Sequence, residues 1–118
     1  MAGAETRDFT APDETRTPDK TTVELVNLAG GQIGRYTFQP GWRWSECIKP
    51  VVGGDSCQVE HIGYVVAGTL HVKHDDGTEI DAKAGDVYRV APGHDAWVEG
   101  DEAAVFVEFQ GAANYAKG

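Results

Sequence analysis

KAGDVYRVAPGHDAW, residues 83–97, is the stretch whose reading decides the fold. Gly85–Asp86 opens it with a turn. Val87 to Val90 then read as a short strand, rich in β-branched and aromatic residues. Pro92–Gly93 ends that strand, because proline cannot donate to a sheet ladder and glycine carries the backbone round a corner. His94 stands just past the corner and HDAWV starts another strand.

The same grammar runs outward through the chain. TVELVNL (22–28) alternates apolar and polar residues and Gly30–Gly31 breaks it; QIGRYTF (32–38) repeats the pattern up to Pro40–Gly41. WRWSECIKPVVGGDSCQVEH (42–61) reads as one hairpin turning near Gly53–Gly54, which would set Cys47 opposite Glu60 or His61. CQVEHIGYVVAGTLHVKH (57–74) is a long β-rich run with Gly68 as its kink. Asp76–Gly77 predicts a type I′ hairpin turn. HDAWVEGDEAAVFVEF supplies two last strands. About nine short strands with turns every 8–12 residues or so predict a β-sandwich or barrel. Residues 1–21 are polar, carry Pro12 and Pro18, and have Phe9 as their one large apolar anchor; they read as an arm, partly disordered. The expected division is an arm over 1–21, a barrel over 22–112 and a tail over 113–118.

Composition narrows the function. The 118 residues make about one domain, with 41% hydrophobic and 25% charged residues, an ordinary globular balance. Ten Lys and Arg stand against 19 Asp and Glu, a net charge of −9. That excludes a nucleic-acid partner, which needs a basic face, and disfavours an anionic membrane. MAGAETRDFTAPDETR lacks the apolar core of a signal peptide, so a cytoplasmic location is expected. Cys47 and Cys57 then read as thiols or metal ligands before a disulfide, although their ten-residue spacing would permit a bridge across a hairpin.

KAGDVYRVAPGHDAW resembles the second motif of the cupins, and DSCQVEHIGYVVAGTLHV, preceded by Pro40–Gly41, resembles a drifted first motif. PGWRWSE, SCQ-x-x-H-x-GYV, DDG-x-E and PGHDAW-x-x-GDE are more narrowly similar to a group of small bacterial cupins of unassigned role, with Ala91 replacing a proline. The resemblance implies an all-β double-stranded β-helix, a jelly-roll barrel, and a pairing of two copies into a homodimer. Aligned on Gly68, the family's glutamate position falls on His61 and its paired histidines on Cys57 and Asp55. Its last histidine falls near Ala96, one pleat beyond His94. The usual ligand set is therefore absent, and Asp55, Cys57, His61 and His94 stand in its neighbourhood.

Thiolate and imidazole suit zinc, iron or copper. In a flat strand Cys57 and His61 would sit about 13 Å apart at ~3.3 Å per residue, so only curvature could join them. His61 and His94 are candidate ligands or acid–base groups, and Gly63 on the same face leaves room beside His61. Each has a plainer alternative: a hydrogen-bonded core histidine, a turn histidine, a buried core thiol at Cys57, a turn former at Asp55. Trp44, Cys47, Tyr88 and Trp97 are candidate pocket walls, the tryptophans being first of all core. His71 and His74 read as solvent-facing. No phosphate loop or nucleotide-cofactor motif is present. Two functions follow: a metal-assisted enzyme on a small molecule, an oxygenase or isomerase, or a metal-free small-molecule binding module.

Overall fold

Alternation builds the strands and the strands build two facing sheets. The structure, a computed structural model, describes residues 3–111 and 115–117. Its strands are β1 (Glu14–Arg16), β2 (Thr21–Leu28), β3 (Gly31–Phe38), β4 (His61–Ala67), β5 (Thr69–His74), β6 (Glu79–Lys83), β7 (Val87–Val90), β8 (His94–Val98) and β9 (Ala104–Gln110). One sheet has the order β1-β2-β3-β9-β4-β7 and the other β6-β5-β8, with antiparallel pairing between neighbours. The chain is an all-β double-stranded β-helix, as the motifs implied.

Period two sorts each strand into a buried and an open row. Val23 and Leu25, Tyr36 and Phe38, Val72, Ala96 and Val98, and Ala104 and Phe106 meet between the sheets. Phe38 and Trp42 stack with centroids 3.8 Å apart, and Trp42 Nε1 donates to Thr21 Oγ1 at 2.9 Å. Each such side chain contributes about 1.5–3 kcal/mol by leaving water. The same alternation in AVFVEFQ carries a carboxylate inward, since Glu108 follows Ala104 and Phe106 on the buried row.

Two expectations are corrected. Residues 42–61 are not a hairpin. Two helical turns, α1 (Trp44–Cys47) and α2 (Lys49–Val52), replace its first arm. Pro50 has no N–H for a ladder but suits the first turn of a helix, and Gly53 and Gly54 (φ 77° and 85°) release the chain from α2. The 74–79 connection is a hairpin without a type I′ turn: Gly77 has φ 94°, Asp76 is not in the positive-φ region, and Gly77 N–H donates to His74 O. Glu14–Arg16 of the arm pair with Leu25–Val23 of β2, so part of the arm lies along the edge of the large sheet. Part of the expected tail, residues 113, 114 and 118, lies outside the described residues; Tyr115 and Ala116 pack into the core.

Gly68, φ 75°, carries the chain from one sheet to the other between β4 and β5. A Cβ there would meet Ala103 O at 2.5 Å, so no larger residue fits without a shift. Among the described residues no helix is long and apolar enough to cross a membrane.

Candidate functional site

His61 opens β4 and His94 opens β8, on facing sheets. Cys57 joins them through an isolated bridge: its N–H donates to His94 O at 2.7 Å, and Gly93 N–H donates to Cys57 O at 2.7 Å. Residues 58–60 are not strand. Past that bridge the chain leaves the ladder, and the Cys57 and His61 side chains reach toward each other until Cys57 Sγ lies 3.7 Å from His61 Nε2. His61 and His94 stand edge to face, ring centroids 5.2 Å apart. One donor atom from each of Cys57, His61 and His94 lies within 4.8 Å of the other two, and all three residues are buried.

Outer partners orient the two rings. His61 Nδ1 is paired at 2.7 Å with Glu108 Oε1, and the Tyr88 hydroxyl donates to Glu108 Oε2 at 2.5 Å. His94 Nδ1 lies 2.8 Å from Ala91 O, and a carbonyl only accepts, so that nitrogen carries the proton. His61 thereby turns its Nε2 toward Cys57, and His94 brings a ring nitrogen within 4.8 Å of the same thiol. Gly63 has a different use from the one expected. The room beside His61 is filled by Tyr88, and a Cβ on Gly63 would meet its hydroxyl at 2.7 Å and Val107 O at 2.5 Å. Glycine there lets Tyr88 lie across β4 and reach Glu108.

Electrostatics match this geometry. Burial by itself would raise the Cys57 thiol pKa, but hydrogen bonds and charge from His61 and His94 outweigh it and bring it to about 6. Burial would lower His61, but the Glu108 charge and the bonds to Cys57 and Glu108 push it up to about 9. Without a metal the two hold a thiolate and an imidazolium at neutral pH. Tyr36 is raised by burial and by Glu108 nearby, yet its hydroxyl meets no hydrogen-bond geometry among the described residues.

Of the expected site residues, Cys57, His61 and His94 converge, and Trp44 and Tyr88 line the cavity beside them. Asp55 does not join: it is exposed in the loop after Gly53–Gly54. Cys47 is buried elsewhere, its Sγ 3.8 Å from Asp19 Oδ2, because α1 turns it away. Both cysteines are free thiols. Trp97 faces outward, stacked on His71 at 4.6 Å with Arg43 over its other side, because Asp95 and Trp97 take the opposite parity to His94 and Ala96. His71 and His74 lie outside as expected but engaged: His71 bonds Asp81 and Glu79, and His74 bonds Pro92 O. Glu108 and Tyr115 went unread. The alternation of 104–110 pointed to Glu108. Tyr115 had no local signal; it stacks on Tyr36 at 4.7 Å and stands edge-on to His61 at 5.3 Å.

The cavity between the sheets has about 40 Å³ open to the centre of a water molecule. The donor set fits a transition metal: one thiolate and two imidazoles with Nδ1 already engaged, backed by a carboxylate and a carbonyl.

No protein-family model matches the sequence, and no curated protein matches it. Solved structures do. A protein of unknown function from Rhizobium leguminosarum bv. viciae superposes with a TM-score of 0.63 at 18% identity, covering 92% of this chain and 99% of that one. KdgF from Halomonas sp. gives 0.59 at 16% identity, covering 91% of each chain. A cupin-like protein from Thermotoga maritima gives 0.53 at 19% identity, covering 78% of this chain and 68% of that one. The fold is that of the cupins. A protein of unknown function from Acinetobacter sp. has a similar fold, TM-score 0.60 at 14% identity, covering 83% of this chain and 90% of that one.

Proposed function

We propose that this chain is a small metal-binding cupin in which Cys57 Sγ, His61 Nε2 and His94 Nε2 hold a divalent transition metal beside a small organic molecule in the cavity. One observation carries the reading: both histidines have Nδ1 engaged by an acceptor, and a ring nitrogen of each converges with a thiolate on one point. Zinc, iron or copper suits the donors, and a bound ion would supply Lewis-acid or redox chemistry to an isomerisation or oxygenation of that molecule. Glu108 holds the His61 ring and keeps its Nδ1 proton, while Tyr88 fixes Glu108. Convergence of three donors favours this over a metal-free binding module.

A second reading rests on the 3.7 Å approach of Cys57 Sγ to His61 Nε2. Without metal, the thiolate and the Glu108-oriented imidazolium form an acid–base or nucleophilic couple.

Metal analysis of the purified protein tests the choice. About one metal per chain is expected, with His61→Ala lowering metal affinity tenfold or more, a change of about 1.4 kcal/mol. Melting of the metal-free variant should move by only a few degrees. Unchanged metal affinity with a large loss of stability would make His61 a core residue and end the metal reading.

A further inference from the structure

Two donors in the cavity lack a partner in good hydrogen-bond geometry, although Glu108 lies close enough to Tyr36 to act on its hydroxyl. Tyr36 Oη and Trp44 Nε1 are buried without a hydrogen-bond partner among the described residues, and both side chains line the cavity. Each residue is only 2% exposed. An indole N–H can only donate, and a phenol donates readily. A buried donor left unpaired costs about 1–3 kcal/mol, so two of them in one cavity call for an acceptor.

Charge and size narrow that acceptor. No Lys or Arg lines the cavity among the described residues, whereas Glu108 does. A divalent ion on the three donors would be balanced by the Cys57 thiolate and the Glu108 carboxylate. An anionic ligand would therefore meet no Lys or Arg and no net positive charge, with a carboxylate to repel it. The walls away from the donors are Phe38, Leu70, Val72, Val90, Ala96 and Phe106. With about 40 Å³ open to the centre of a water molecule, the cavity is small but holds more than a single water, room for a few heavy atoms. Tyr115, 3% exposed and stacked on Tyr36, closes that side and holds the size down.

We infer that the cavity takes an uncharged molecule of a few heavy atoms, whose oxygen accepts from Tyr36 Oη–H and Trp44 Nε1–H while its carbons lie against Phe38, Val90 and Phe106. A small ketone, aldehyde or alcohol has this chemistry; a carboxylate of the same size does not. The inference takes the site as read above but concerns the ligand, not the ion.

Acetone and acetate have equal numbers of heavy atoms and differ in charge, so they serve as probes. Each is titrated into the full-length protein, followed by NMR shifts of the cavity residues, once as purified and once after metal removal. Acetone should perturb the cavity residues with a dissociation constant in the millimolar range or below, and acetate should bind at least tenfold more weakly. Tyr36→Phe and Trp44→Phe should each weaken acetone about fivefold, the loss of one hydrogen bond, with metal content unchanged. Should Trp44→Phe unfold, Tyr36→Phe carries the test alone. Acetate binding as well as acetone, no cavity shifts with acetone, or an unchanged acetone affinity in Tyr36→Phe would each overturn the inference. Acetone binding in a protein that takes no metal would sink the metal reading and leave this one standing. A metal-loaded protein deaf to acetone would do the reverse.

Discussion

Two histidine clusters in this molecule use the same kinds of group to different ends. Cys57, His61 and His94 lie between the sheets; His71, Asp81 and Glu99 lie on the outer face of the three-stranded sheet. In each, the donor atoms fall within 4.8 Å of one another. The difference is in what the imidazole nitrogens already do. His71 has both engaged by carboxylates, Nδ1 with Asp81 at 2.7 Å and Nε2 with Glu79 at 2.8 Å. It makes a solvated ion cluster with no lone pair to spare. His61 and His94 each engage one nitrogen with one acceptor, close to a thiolate. Proximity of ligand-type residues does not define a site; ring nitrogens not held by carboxylates, converging with a thiol out of water, do.

The sharpest way to break this contrast is to remove one histidine from each cluster. His94→Ala should weaken metal binding a hundredfold or more, above the roughly 10–100-fold that loss of an outer-shell partner costs. His71→Ala should leave it unchanged, as read by zinc competition against a chromophoric chelator. Equal losses would erase the distinction between the clusters.

A smaller effect is expected one shell out. Glu108→Gln keeps the shape but removes the charge that fixes His61, and metal affinity should fall about tenfold. Tyr88→Phe, which only releases the other Glu108 oxygen, should cost less. Isothermal titration with zinc ranks the two, and an inverted ranking would mean that Tyr88, not Glu108, positions the ring.

The metal-free protein offers a third comparison, in its response to pH. Cys57 has a depressed pKa, so its contribution to stability is present above its unfolded value of about 8.5 and is lost as pH falls through about 6. His61 has a raised pKa, so its contribution is complete below about 6.5 and is lost as pH rises through about 9. The two slopes oppose each other, so the pair should leave stability nearly flat from about pH 6.5 to 8.5. Thiolate ultraviolet absorbance should titrate near pH 6 and move upward in His61→Gln. A midpoint that ignores His61 would remove the thiolate–imidazolium pair.

The outer cluster should matter least. His71 is raised by its bonds to Glu79 and Asp81, so its contribution is complete below its unfolded pKa and fades as pH rises through the folded one. His71→Gln should cost under about 1 kcal/mol, as exposed pairs do, and less in high salt. A larger change in chemical denaturation would show that Trp97, stacked on His71 and under Arg43, depends on the ring for packing.

The strand alternation, the glycine and proline corners and the polar arm were legible because they are local: period two and φ preferences act between neighbours in sequence. From them came the all-β fold; the candidate ligands Asp55, Cys57, His61 and His94 came from the resemblance to the cupin motifs. The parity of β8 also held the information that Trp97 faces away from His94, and that of β9 that Glu108 faces in. What no local rule contained was the meeting of the side chains of Cys57 and His61, Sγ within 3.7 Å of Nε2, beside His94 from the facing sheet. Nor did it contain the helical turns that remove Cys47, or the return of Tyr115 from the far end of the chain to His61. The meeting with His94 and with Tyr115 joins segments distant in sequence, settled by which surfaces the two sheets must bury together, and only the assembled core decides it.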